Sequence, residues 1–466
     1  MTDIYIRGGW IITMDKERRI IKEGAIAVDN GIIVDIGKRN KLDIEYKTRA
    51  DIVIEADRDI IIPGLINTHV HLIQSLFRHC ADNLPLLKWL IDRIWPLQGN
   101  IREIEALAAA KLTVLELIKS GTTTFLETGL VSRYGPDNII EFLLKSGIRA
   151  AVARHVMDQP GYGLKTGVIH SGLIETGEFS LKDTIRLYHK YHGRENRIWI
   201  WFGPRTPGAV SIELYREISE KARELGTGIT MHLAEIREDV EYTMRVYGRK
   251  PVEFAHWVGL TGRNVVLVHV VWIDDDEIKL LSETKTNVSH NPSSNMKLGS
   301  GIAKIYEMIN RGVNVTIGTD GGPSNNTYDL LREMKLVALL QSVRLLNPLA
   351  IRSEQIVEMT TINAARALML DHLIGSIEIG KNADIVILDY WVPHLHPLAN
   401  PLSHLVYAST GSDVKHVIID GKIVMYNREI LSFNEREVIE EAEKYGYELY
   451  NRTGICREID TYWPIV

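Results

Sequence analysis

Cysteine is nearly absent from this chain. There are two, Cys80 and Cys456, far apart among 466 residues, and such a pair makes no disulfide framework. Reduced thiols in a cytoplasmic protein are the simpler expectation. The formal net charge is −6, with no long run of Lys and Arg. The basic stripe needed to bind a phosphate backbone is missing, so a nucleic-acid partner is not expected. Apolar runs such as Val265 to Ile273 fall far short of the roughly 20 residues that span a bilayer. The opening MTDIYIRGGWIITMD lacks a basic segment leading into a signal-type apolar core. No GxGxxG follows any strand-like segment, which argues against a dinucleotide-binding sheet. These absences point to a soluble, cytoplasmic protein.

What is present begins with PGLINTHVH, from Pro63 to His71. The apolar approach (Ile60, Ile61, Ile62, Leu65, Ile66) reads as a short buried strand bounded by Pro63-Gly64. Side chains two apart on a strand share a face, so His69 and His71 project together from its end. Two imidazoles on one rigid strand suit zinc or ferrous iron. With sixteen histidines in the chain, one HxH is unsurprising by chance. A second, His394-Leu395-His396, lies in a Pro-bounded loop and reads as structural or surface.

Both ends of the chain are β-rich with hairpin turns, at Asp29-Asn30-Gly31 and at Asp420-Gly421. Each flank alone buries little, so the economical arrangement is one small β-sandwich assembled from both ends. The expected divisions are residues 1–58 (first part of the sandwich), 59–374, 375–430 (second part) and a charged helical tail over 431–466. That tail is expected to pack on the barrel or on a neighbouring subunit. Between the flanks, eight apolar strand-like segments each precede a helix-like one, including Glu103 to Lys119, Arg237 to Val258 and Leu330 to Leu345. Near-continuous apolar strands are those of a parallel sheet buried on both faces. The fold class expected is therefore α/β: a (β/α)8 TIM barrel plus the split β-sandwich, with a doubly wound sheet as runner-up.

Chemistry in such a barrel sits at the carboxyl ends of the strands. There the sequence places His69 and His71 (first), Arg205 (fourth), His232 and Glu235 (fifth), His269 (sixth), His290 (seventh) and Asp320 (eighth). His69, His71, His232 and Asp320 make a ligand set for one divalent metal, zinc before iron(II), able to bring the pKa of water from 15.7 to about 7. Asp320 would also take the water's proton; otherwise it is a turn residue in Thr319-Asp320-Gly321. Glu235 would carry a proton to a ring nitrogen, its plainer alternative being a carboxylate at a helix N-terminus. His269 would orient the water. His290 serves either the substrate or the loop His290-Asn291-Pro292.

The motifs PGLINTHVH (63–71), HLAE (232–235), His269 in VLVHVVW, SHNPSSN (289–295), GTDGGPSNN (318–326) and GKNADIVILD (380–389) resemble those of the amidohydrolase superfamily. The branch is that of cytosine, guanine and S-adenosylhomocysteine deaminases and the s-triazine hydrolases. The resemblance implies a barrel with a split sandwich, the same four metal ligands, Glu235 as proton shuttle and His269 beside the water. Two positions depart from the S-adenosylhomocysteine deaminase pattern: Gln98 stands where a Glu is usual, and Arg205 where a His is usual. Gln74 with Arg205 is instead similar to the pair by which guanine deaminases hold the base. Gln at 74 and 98 is similar to the triazine chlorohydrolases. Trp89 and Trp95 either wall an aromatic substrate or anchor packing, and Arg154 could meet a substrate carboxylate.

The function expected is deamination of an amino-substituted nitrogen heteroaromatic of purine, pterin or s-triazine type. Alternatives are methylthioadenosine or S-adenosylhomocysteine deamination, and triazine dechlorination. Binuclear cyclic-amide hydrolysis is disfavoured by Arg205 at the place of a bridging lysine, and a catalytically dead scaffold by the presence of ligands, acid and water-orienting histidine together. Self-association into a dimer is compatible with the sequence.

Overall fold

A computed structural model describes residues 2–159, 169–456 and 463. Its centre is an all-parallel sheet whose strands follow chain order. They are β1 (Leu65–His71), β2 (Thr122–Leu130), β3 (Arg149–Val156), β4 (Ile198–Pro204), β5 (Ile229–Leu233), β6 (Val265–His269), β7 (Asn287–His290) and β8 (Asn314–Ile317). Just beyond β8, Asp320 and Gly321 pair in parallel with Val70 and His71 and close the ring. The fold is α/β with a TIM-barrel-like centre. The helices Glu103–Lys119 and Leu330–Leu345 lie where the apolar pattern puts them. The stretch from Arg237 to Val258 is instead two helices, Arg237–Tyr247 and Pro251–Trp257. Gly248 ends the first at φ 65°, and Pro251 can only open a new one.

The floor of the barrel is apolar. Ile66 of β1, Leu126 of β2, Ala151 and Ala153 of β3, Trp201 of β4 and Val266 of β6 form one buried cluster with Ala364 to Leu370 below them. Residues from five strands meet in this way only on the inner face of the ring, so the cluster fixes which side chains point inward.

The run from Ile60 to Ile66 is two strands rather than one. Ile60–Pro63 pairs antiparallel with Ile385–Leu388 in a seven-stranded sheet, while Leu65 starts β1. At Pro63-Gly64 the chain leaves one sheet for the other, and a Cβ on Gly64 would strike Thr123. That seven-stranded sheet joins both ends of the chain, with Trp10–Ile12 on one side and Val414–Ile419 on the other. A four-stranded sheet from residues 2–55 covers it, and the isoleucines of both share a core. The two hairpins form as expected, with Asn30, Gly31, Asp420 and Gly421 all at positive φ. They touch each other, since a Cβ on Gly421 would lie 2.3 Å from the Gly31 Cα. A buried ion pair, Arg149 to Asp384 at 3.0 Å, ties β3 to this sheet.

The expectation of free thiols is overturned. Cys80 and Cys456 form a disulfide, with Cα atoms 5.1 Å apart. The C-terminal helix Glu435–Thr453 brings them together by packing on Glu103–Lys119 and on the turn Leu72–Phe77. Lys111 to Glu441 and Lys119 to Glu435, each at 2.7 Å, hold it there. Of the closing TYWPIV, all but Trp463 lies outside the described residues. None of the described helices is long and apolar enough to cross a membrane.

Candidate metal centre

β1 turns two histidines inward because its pairing is irregular. The register with β2 shifts between Asn67 and Val70, and Asn67 and Thr68 bond to β8 through their side chains. Asn67 Nδ2 donates to Thr319 Oγ1 and Thr68 Oγ1 to the Ile317 carbonyl. Val70 then faces the outer core and the His69 and His71 rings face the mouth, centroids 4.9 Å apart. Opposite them, His269 and Asp320 sit at φ 71° and 64°. Left-handed backbone of this kind costs of the order of 1–3 kcal/mol at a non-glycine residue and concentrates at functional sites.

His69, His71 and His232 bring donor atoms within 4.8 Å of one another, and so do His69, His269 and Asp320. His71 Nε2 lies 3.2 Å from His232 Nε2 and 3.4 Å from Asp320 Oδ1, and His69 Nε2 is 3.1 Å from Asp320 Oδ1. Two ligands about 2.0–2.1 Å from one ion at a tetrahedral angle are separated by about 3.3 Å, so these spacings fit a shared divalent metal. The donor states fit too. Burial, with His69 beside it, holds His71 well below the ordinary imidazole range, and burial with Arg205 does the same for His232. Burial alone would raise Asp320, but the His69 hydrogen bond and the surrounding histidines outweigh it and hold the carboxylate ionised. Neutral imidazoles and an ionised carboxylate are what a cation binds. His69 is oriented by Thr128 Oγ1 at 3.2 Å, and Asp320 Oδ2 accepts from Ser294 Oγ at 2.6 Å.

Glu235 stands 3.4 Å from His269 Nε2 and accepts from Ser300 Oγ at 3.2 Å. Burial first, then Asp320 and Asp239, push its carboxyl well above the ordinary range. Asn295 Nδ2, 3.0 Å from His269 Nδ1, fixes that ring. Arg205 Nη1 lies 2.6 Å from His232 Nε2. Gln74 is buried with its Oε1 unpartnered among the described residues, against Gly321, where a Cβ would lie 1.8 Å from that oxygen.

No hydrogen bond among the described residues joins the other candidates to this cluster. His290 is buried, with neither ring nitrogen partnered among the described residues. Gln98 and Trp89 are buried in the segment after β1, and no hydrogen bond among the described residues joins either to the histidines. The reading of Arg154 as a substrate contact is corrected: its guanidinium is buried and paired with Glu175 at 2.5 Å and Asp183 at 2.8 Å. The second histidine pair is engaged elsewhere, His394 with Asp413 and His396 with the Tyr390 carbonyl.

Two mouth residues escaped the sequence reading, Glu127 at the end of β2 and His155 at the end of β3. Glu127 accepts from Leu72 N at 2.6 Å and Gly129 N at 2.7 Å, which pins the residue after His71, and burial pushes its carboxyl up to about 8. The strand-end rule that found the others points to both.

A parallel barrel carrying this buried cluster at the carboxyl ends of its strands is a metal-dependent hydrolase. The chain belongs to the amidohydrolase family, whose model matches residues 60–424. It is 38% identical to a 5'-deoxyadenosine deaminase of Methanosarcina mazei over 97% of this chain and 100% of that one. It is also 38% identical to a 5-methylthioadenosine/S-adenosylhomocysteine deaminase of Thermococcus onnurineus, over 92% and 95% of the two chains. Among solved structures, an adenosine deaminase of Xanthomonas campestris with bound zinc superposes with a TM-score of 0.90 at 26% identity, covering 97% of this chain and 99% of that one.

Proposed function

We propose that this protein hydrolytically deaminates a nitrogen heteroaromatic, with a 6-aminopurine nucleoside of the 5'-deoxyadenosine type as its substrate. The carrying observation is the convergence of His69, His71, His232 and Asp320 in one buried mouth, with Glu235 beside them, its carboxyl pushed up by burial and by Asp320. The relatives' deaminase names support the choice of ring, and the zinc in the adenosine deaminase supports zinc as the metal.

A bound zinc would supply a Lewis acid and a water acidic enough to ionise near neutral pH. The rest is the work of this chain. Asp320 takes the proton of the attacking water. Glu235 delivers its proton to the ring nitrogen next to the attacked carbon, which makes the amino-bearing carbon electrophilic; the proton that Asp320 took from the water passes to the departing amine, and Glu235 recovers a proton from the added hydroxyl as the carbonyl forms. His269, held by Asn295, keeps the water in line. Arg205 lies against the His232 nitrogen that a metal would take, and with that nitrogen engaged its guanidinium would be free to meet the substrate. On this reading residues 59–374 are the catalytic unit and the flanks its support.

Gln74 favours a second reading. A buried amide oxygen without a partner beside Asp320-Gly321 calls for a donor on the ligand, as the amide edge of guanine or an aminotriazine offers. Ammonia release from zinc-loaded protein, tested on 5'-deoxyadenosine, 5'-methylthioadenosine, guanine and melamine, decides between them. Turnover of the nucleosides is expected. No ammonia from any of the four would refute deamination.

A further inference from the structure

We propose that His155 is a specificity-determining residue of this site, whose Nε2 hydrogen-bonds a polar atom of the substrate away from the leaving amino group.

Its place follows from strand alternation. On β3, Ala151 and Ala153 belong to the apolar floor of the barrel, so the next residue on the same face is His155, at the mouth. Arg154, one residue before, faces outward and spends its guanidinium on Glu175 and Asp183. Across β4, His155 pairs in register with Gly203, two residues before Arg205. On the other side lies Gly129 of β2: a Cβ there would lie 2.9 Å from His71 Nδ1 and 3.4 Å from His155 Nδ1. His155 thus stands on the wall between the metal ligand His71 and Arg205, and the missing side chain of Gly129 makes room for both rings.

The ring is fixed on one side only. It is hydrogen-bonded to the backbone of Gly129, while Nε2 is buried without a partner among the described residues. His155 itself is only 4% exposed. A buried nitrogen left unmatched forfeits its hydration with nothing in return, and native structures rarely accept that without a reason. In the wall of a substrate cavity the reason is a ligand atom. Sites built to hydrogen-bond their substrate discriminate far more sharply than apolar pockets, because the wrong ligand leaves the protein group unpaired.

The inference rests on the deaminase reading, and its test separates the two. His155→Phe keeps the ring shape and removes the nitrogens; His155→Gln restores a polar end. Both are compared with wild type for zinc content, melting temperature and steady-state deamination of 5'-deoxyadenosine, adenosine and guanine. For the substrate that wild type turns over, H155F is expected to raise KM about tenfold or more with kcat within about threefold, one zinc retained, and H155Q partway back. An unchanged KM, a loss confined to kcat, or zinc lost with activity would overturn the role of His155 while leaving deamination standing. Wild type inactive on these three and also on 5'-methylthioadenosine and melamine would take down the deaminase reading and this inference together.

Discussion

On β3, Ala151 and Ala153 point into an apolar floor with Trp201, and His155 continues the same face into a polar mouth. The same change runs along β1, from Ile66 to His69 and His71, and along β6, from Val266 to His269. At the floor the clustered side chains are apolar, and the unmatched polar atoms nearer that end are uncharged threonine hydroxyls such as Thr122, Thr124 and Thr230. At the mouth, Gln74, His71, His155, His269 and His290 each leave a buried polar atom unmatched, and His269 and Asp320 hold left-handed backbone. One end of the barrel is therefore built for stability, and the other carries costs that only a metal and a ligand relieve.

The largest effect that sharpens this contrast belongs to Glu235. Glu235→Gln removes the proton carrier without removing a metal donor, so kcat is expected to fall by about 10³-fold or more. Zinc content should be unchanged and the melting temperature equal or higher, as befits a site that trades stability for activity. Retained activity would break the assignment of the mouth as catalytic.

The floor should answer in the opposite way. Trp201 is fully buried and lies flat on Gly228, where a Cβ would come 2.3 Å from the indole. Trp201→Ala is expected to cost about 3–5 kcal/mol in chemical denaturation while the folded fraction keeps its zinc and its KM. A variant that lost zinc at full stability would show that floor and mouth are not separable.

How much of this contrast was legible beforehand follows from the same strands. A buried parallel strand announces itself by an unbroken apolar run, and a mouth residue by an ionisable group where the run ends. That logic located His69, His71, His232, His269 and Asp320, which the structure brings together. At the end of β2 it names no residue, and at the end of β3 it fixes on Arg154 rather than on the neighbouring His155, so Glu127 and His155 escape it. Sequence continuity misled at Ile60 to Ile66, because Pro63-Gly64 allows a change of sheet that an apolar pattern does not show. The disulfide was out of reach: 376 residues separate Cys80 from Cys456, and nothing local tells which turn the C-terminal helix will cover.

That disulfide supplies the next test. It fastens the segment after β1, the one carrying Gln74 and Trp89, to the end of the C-terminal helix. A cross-link closing so long a loop contributes about 2–4 kcal/mol, mainly by restricting the unfolded chain. Cys80→Ser, or reduction of the wild type, is expected to lower the melting temperature by several degrees with zinc content unchanged. Equal melting with and without reductant would show that the cross-link does not hold the mouth.

The smallest effect concerns acid. Burial pushes His290 down to about 3, far under the ordinary imidazole value of about 6.5. A depressed pKa means that the unfolded chain binds a proton the folded chain refuses. The stability this imidazole contributes is fully present above about pH 6.5 and is lost as pH falls towards 3. At pH 5 the loss is about 2 kcal/mol for one fully buried ring. His290→Leu, similar in bulk and without the proton site, should therefore lose less stability than wild type between pH 7 and pH 5, by about 1–2 kcal/mol in parallel denaturation curves. The floor, where Trp201→Ala changes no titrating group, should show no such difference: that variant's penalty is expected to be the same at both pH values. A pH-dependent penalty at Trp201, or none at His290, would dissolve the distinction between the two ends of the barrel.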